Sequence, residues 1–329
     1  MRLAHLSSSL PALVAVGLIA LVPRLAVAEP TVVASIPPVH SLVAGVMEGI
    51  GDAHLLVKGG ASPHTYALRP SDATLLNRAD IVFWVGEELE AFLVKPLAAL
   101  GGGADVVALS KAPRLKLLAA REGGLWEEDE DEHEHEAGGD HEDEHEHEHE
   151  HEHGAHDMHV WLDPANAEVM VEAIVATLVR RDPAHAKAYA ANGASLRGRI
   201  EGLKSEIKAT LAPVAGKPFM VFHDAYQYFE EAFGLKAVGA LSVAPQRLPG
   251  AKRLGELRER LVSAGVGCVF REPQFAPKLA ETLVDGTPAR IGVLDPLGAG
   301  LKSGPDLYFR LLKSNAEALR NCLESKPAG

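Results

Sequence analysis

From Thr31 onward, short runs that are apolar throughout alternate with stretches of helical periodicity. In the first half the runs are "TVVASI" (31–36), "HLLVK" (54–58), "DIVFWVG" (80–86) and "ADVVAL" (104–109). "PVHSLVAGVMEG", "PSDATLLNRA" and "EELEAFLVKPLAAL" read as helices between them. The second half repeats the rhythm with "PFMVF" (218–222), "KAVGAL" (236–241), "VGCVFRE" (266–272) and "ARIGVL" (289–294), and with helices starting near Gly250, Pro277 and Pro305. Strands without polar alternation, spaced by helices, belong to parallel sheets covered on both faces. The pattern predicts an α/β protein of two lobes.

Between the halves, no strand pattern occurs from Pro164 to about Leu211. Asp182 and Pro183 split this stretch, with Asp182 placed as an N-cap and Pro183 at the first helical position. A helix from there to Leu211 has about 29 residues and a length of ~43 Å. Such a helix crosses both lobes and joins them rigidly. The expected organisation is residues 29–182 as an N-terminal lobe, 183–212 as a connecting backbone helix and 213–329 as a C-terminal lobe.

Residues 1–28 stand outside this rhythm. Arg2, an apolar run from Leu10 to Val22 and "AVA" ending at Ala28 have the form of a secretory signal, too short to span a bilayer. Export and an oxidising compartment follow, and there the two cysteines, Cys268 and Cys322, read as a disulfide. Two free thiols or a two-thiolate metal site are the alternatives, and no His is spaced to complete the latter.

The formal charge of −13 is local. Residues 127–157 hold 17 of the 45 acidic groups and no Lys or Arg, and the rest of the chain is close to neutral. Neither a nucleic acid nor a membrane surface is implied as a partner. The same segment holds His133, His135, His141, His145, His147, His149, His151, His153 and His156, nine of the sixteen histidines. With almost no apolar residues, it is expected to form a disordered insertion of the N-terminal lobe, about 122–157, that binds several ions weakly.

In open parallel sheets, ligands bind beyond the carboxyl ends of strands. The residues there with ligating side chains are His64 in "LLVKGGASPHTY", His223 in "PFMVFHDAY" and Asp295 in "RIGVLDPLG". His159 in "MHVWLDP" stands where apolar order returns after the acidic run, and His40 competes from "VVASIPPVH". Three imidazoles and a carboxylate suit tetrahedral Zn²⁺, although spacing alone leaves each residue open to a rim or structural role. Asp224 is a candidate partner for a ligating imidazole. His54 and His185 read as surface or edge residues, and Trp161 as packing.

"GASPHTYALRPSDATLLNRADIVFWVGEELEAF", "MHVWLDP", "VFHDAYQYFEEAFGL" and "LDPLG" resemble the motifs of zinc-specific solute-binding proteins of bacterial ABC importers, the metal-binding cluster with a long backbone helix. The resemblance spans nearly the whole mature chain. It implies a metal site in the interlobe cleft formed by His64, His159 and His223, with Asp295 as fourth ligand or close neighbour. Pro63 stands where many zinc-specific relatives carry Glu, which shifts the fourth place toward Asp295 or water. A third imidazole at His223, where manganese-binding relatives commonly have a carboxylate, favours Zn²⁺.

The resemblance further implies a periplasmic monomer that delivers Zn²⁺ to an inner-membrane ABC permease with its ATPase. Other periplasmic zinc proteins are further partners to consider, and the His-rich run becomes a low-affinity reservoir. Competing readings are a periplasmic zinc buffer or chaperone and a manganese-importer component. A zinc hydrolase needs an open position and a general base, and Pro63 removes the obvious base.

Overall fold

The computed structural model describes residues 29–100, 102–121, 126, 155–242 and 249–324. The expected signal at 1–28 and the histidines from His133 to His153 lie outside the described residues.

The N-terminal lobe runs β1 (Val32–Ala34), α1 (Pro37–Val46), β2 (Ala53–Leu55), α2 (Pro70–Asn77), β3 (Ile81–Trp84), α3 (Ala91–Ala99) and β4 (Asp105–Ala108). Its four strands are parallel in the order β2-β1-β3-β4. Central β1 and β3 are wholly buried, as their unbroken apolar runs require. The edge strands β2 and β4 are not, and His54 on β2 is exposed.

Two short antiparallel strands follow, β5 (Leu118–Ala119) and β6 (His156–Asp157). They pair Leu118 with Asp157 and Ala119 with His156, and so form the root of the acidic–His insertion. At two residues each they carry no periodicity, and the sequence pattern does not reveal them.

The helical middle of the chain is two helices, α4 (Pro164–Arg181) and α5 (Ala186–Leu211). Asp163 caps α4 by accepting from the Ala165 N–H at 2.8 Å, with Pro164 in the first turn. Asp182 does not cap α5 as expected. Its Oδ2 accepts instead from Tyr189 Oη at 2.9 Å and from His185 Nδ1 at 2.6 Å, and Pro183–His185 form a 3₁₀ turn before the helix. The 26 residues of α5 span ~39 Å at the α-helical rise. Tyr189, Gly193, Leu196, Ile200, Leu203, Ile207 and Leu211 form its buried stripe. At Gly193 a Cβ would lie 2.4 Å from Val175 Cγ2, so the close approach of α4 and α5 requires glycine.

The C-terminal lobe runs β7 (Phe219–Val221), α6 (Gln227–Phe233), β8 (Ala237–Ala240), α7 (Ala251–Ser263), β9 (Cys268–Arg271), α8 (Lys278–Val284), β10 (Arg290–Val293) and α9 (Leu307–Glu324). Its parallel sheet has the order β10-β9-β7-β8. Cys268 on β9 and Cys322 on α9 form the disulfide, 54 residues apart in sequence. In the chain-entropy account a crosslink of that span stabilises by about 4 kcal/mol.

α5 packs against α1 and α4 on the N-terminal side and against α6 and α9 on the C-terminal side. One buried apolar cluster runs from Val32 through α4 and α5 to Leu323 and therefore belongs to both lobes. Each lobe adds a smaller satellite core under its outer helices. A core shared in this way resists sliding of the lobes, because close-packed interiors do not deform continuously. Among the described residues, no helix is long and apolar enough to cross a membrane.

Candidate metal centre

The carboxyl ends of both sheets point into the cleft between the lobes. The loop after β2 carries His64, the residue second after β7 is His223, and the residue directly after β9 is Glu272. The segment leaving β6 supplies His159, which precedes a 3₁₀ turn of buried Val160, Trp161 and Leu162. Ser62, Pro63, Gln274, Phe275 and Leu297 complete the walls.

His64, His159 and His223 meet here, and among the described residues they form the one cluster able to hold a metal ion. His159 Nε2 lies 3.4 Å from His64 Nε2 and 3.3 Å from His223 Nε2. Ligand nitrogens at 2.0–2.1 Å on a tetrahedral Zn²⁺ are separated by roughly 3.4 Å, so the spacing fits such an ion.

The hydrogen-bond partners define the chemistry. His159 Nδ1 lies 2.7 Å from Asp157 Oδ1, and His223 Nδ1 lies 2.6 Å from Glu272 Oε1. A carboxylate can only accept, so each neutral ring carries its hydrogen on Nδ1 and turns the Nε2 lone pair into the cleft. Two lone pairs facing each other at this distance repel unless a cation lies between them.

All four groups are nearly inaccessible, from 1 % exposed for Glu272 to 6 % for Asp157 and His159. Burial disfavours the imidazolium of His223, but the charge and hydrogen bond of Glu272, reinforced by Asp224 and Asp157, outweigh it and raise the His223 pKa. For His64, burial and then the neighbouring His159 and His223 hold the pKa well below the ordinary imidazole value.

Asp295 is not brought into the cluster. Its Oδ1 accepts from Gln274 Nε2 at 3.0 Å and from the Leu297 and Gly298 N–H groups at 2.9 Å, and its Oδ2 accepts from the Ala299 N–H at 2.6 Å. Three backbone N–H groups of the loop after β10 and the Gln274 side chain hold that carboxylate in place. Asp224 likewise serves another partner: both its oxygens accept from Arg121, and neither imidazole is bonded to it.

His40 is a buried structural residue whose Nε2 lies 3.0 Å from the Ala53 carbonyl. His156, on β6, is held by Glu88 at the rim, with its N–H donating at 3.2 Å, and lies outside the cluster. Trp161 packs as expected and also joins the lobes by donating from Nε1 to the Pro296 carbonyl at 2.8 Å. Asp157 and Glu272 are the functional residues that the sequence reading missed. The signals were present, an Asp two residues before a candidate ligand in "HDMH" and a Glu directly after a strand in "VGCVFRE".

Residues 32–322 match the family described as zinc-uptake complex component A, periplasmic (ZnuA). The chain belongs to this family. The high-affinity zinc uptake system protein ZnuA of Brucella abortus (strain 2308) is 50 % identical over 304 residues, covering 89 % of this chain and 91 % of the relative. ZnuA of Paracoccus denitrificans (strain Pd 1222) is 43 % identical over 321 residues, covering 96 % and 98 %. Two solved structures share the fold. A crystal structure of ZnuA has a TM-score of 0.73 at 23 % identity, covering 90 % of this chain and all of that one. The periplasmic zinc binding protein TroA from Treponema pallidum has a TM-score of 0.73 at 20 % identity, covering 91 % and 100 %. The two parallel sheets and the long α5 are therefore those of the ZnuA family and of its structural neighbours.

Proposed function

We propose that this chain captures Zn²⁺ through Nε2 of His64, His159 and His223 and delivers it to an inner-membrane ABC permease driven by its ATPase. The observation that carries the reading is the meeting of three imidazoles, with His159 Nε2 at tetrahedral spacing from both of the others and two of the rings turned inward by carboxylates at Nδ1. Imidazole donors suit Zn²⁺ better than the harder Mn²⁺, which prefers oxygen ligands. Water takes the fourth position, since Asp295 is engaged by four donors.

The two buried carboxylates of Asp157 and Glu272 match the charge of a divalent ion, so the loaded site is neutral as a whole. No bond of a substrate is made or broken, and the site serves binding alone. Residues 1–28 act as the export leader, and the protein works in the periplasm as a monomer. The repeated histidines from His133 to His156 load ions weakly and raise the local supply of zinc beside the cleft.

Calorimetric titration of the mature protein, and of a version lacking residues 127–154, separates the two kinds of site. The shortened protein is expected to keep one tight zinc site and to lose only weak ones. Loss of tight binding with the run would move the receptor from the cleft to the repeated histidines.

A further inference from the structure

His159 Nε2 and His223 Nε2 face each other at 3.3 Å, and with both rings neutral their lone pairs repel, so before an ion arrives contacts elsewhere have to hold the spacing. Those contacts converge on the root of the insertion. The hydroxyl of Tyr228, 1 % exposed on α6, accepts from the Leu118 N–H at 2.9 Å and donates to the Asp157 carbonyl at 2.7 Å. Leu118 and Asp157 are partners in the β5–β6 pair, and the Asp157 carboxylate holds His159 through both its backbone N–H and Nδ1. Tyr228 itself stands five residues after His223.

A second connection runs beside the first. Arg121, two residues beyond β5, donates to both oxygens of Asp224, the neighbour of His223, and to both oxygens of Glu230 on α6. Its guanidinium lies over the Trp126 ring at 3.7 Å from the centroid. Glu230 in turn accepts from the Ala237 N–H at 2.9 Å, which anchors the group to β8.

We propose that Tyr228 and Arg121 are positioning residues, a two-point clamp from the insertion root to the segment after His223 that fixes the His159–His223 spacing. The proposal rests on the reading of the cleft as the zinc site. Tyr228 reaches the metal only through Asp157 and His159, and Arg121 only through Asp224 and the backbone of His223. The insertion is thereby attached to the site by its root, whatever its own histidines bind.

Tyr228→Phe removes one oxygen and keeps the packing. Zinc affinity is expected to fall about 10- to 100-fold, the range for partners that orient a metal ligand, with the dissociation rate rising to match. The visible spectrum of the Co²⁺-loaded protein is expected to shift and lose intensity, which a fold defect remote from the metal would not cause. In an Asp157→Ala background the same change should add little, because the side chain that carries the link to His159 is gone. Arg121→Lys keeps the charge but loses the paired donors, and is expected to act in the same direction.

Unchanged affinity and Co²⁺ spectrum in Tyr228→Phe overturn the clamp, as does a full additional penalty in the Asp157→Ala background. His159→Ala is the control. If it too leaves zinc affinity intact, the cleft reading fails; if it abolishes tight binding while Tyr228→Phe does nothing, the clamp alone fails.

Discussion

His64 and the pair His159–His223 direct Nε2 to one point, but they are held in different ways. His159 and His223 are buried, and each rests on a carboxylate at Nδ1. His64 is half-buried on the loop after β2, which passes through Gly59 and Gly60 in the left-handed region at φ of 69° and 76°. Among the described residues no side chain bonds its ring apart from His159, and its backbone N–H donates to Ser62 Oγ at 3.3 Å. Two imidazoles of the candidate site are thus oriented in advance, and the third joins them from a loop. Preorganised ligands lose less freedom on binding and contribute more of their intrinsic affinity.

Ligand removal gives the largest test of this difference. Zinc affinities of ~10–16 kcal/mol shared over four ligands amount to about 2.5–4 kcal/mol each, or roughly 10²- to 10³-fold. His159→Ala and His223→Ala are expected at the upper end, about a thousandfold, since each also strands a buried carboxylate. His64→Ala is expected nearer a hundredfold. Competition titrations against a chromophoric chelator measure all three. A loss for His64→Ala as large as the others would erase the contrast.

Substitutions behind the ligands come next. Asp157→Asn and Glu272→Gln leave all three imidazoles but free the Nδ1 tautomers, and about 10- to 100-fold weaker zinc binding is expected. The same chelator competition reads it. Affinity retained in both would mean that packing alone orients the rings.

The pH dependence is the smallest effect and separates His64 from His223. Zinc needs neutral rings. Because Glu272 raises the His223 pKa, His223 protonates before His64 as pH falls, and affinity loss is expected to begin above the ordinary imidazole value of 6.5. His64, shifted the other way, stays neutral to lower pH. Glu272→Gln should therefore move the onset downward while weakening binding at high pH.

In the zinc-free protein the sign reverses. A raised His223 pKa adds stability that is complete below about pH 6.5 and is lost as pH rises through the folded value. Thermal melting of zinc-free wild type and Glu272→Gln across that interval tests this part.

Much of this molecule is legible in its sequence, for physical reasons that also mark where legibility ends. The central strands β1, β3 and β7 read clearly because both faces are covered and the runs are apolar throughout. The candidate residues His64 and His223 were legible because a parallel sheet presents its strand ends to a ligand. The edge strand β10 carries exposed Ile291 and Val293, so its apolar run does not mean burial there.

What did not read was the choice of partner across the fold. Asp157, Asp182, Asp224, Glu272 and Asp295 are alike as letters. Only the folded chain gives Glu272 to His223, Asp224 to Arg121 and Asp295 to a turn of backbone N–H groups. The same holds for Tyr228, whose two bonds reach residues about a hundred and about seventy positions away and which looks like one more aromatic of an amphipathic helix.

The central claim is that three imidazoles, two of them set in advance, hold the transported ion. X-ray absorption on the protein lacking residues 127–154 and loaded with one equivalent of Zn²⁺ tests it most directly. The account predicts three imidazole nitrogens and one oxygen at ~2.0–2.1 Å, with one imidazole lost in His64→Ala. Two imidazoles with two or more carboxylate oxygens, or a shell unchanged by His64→Ala, would contradict it.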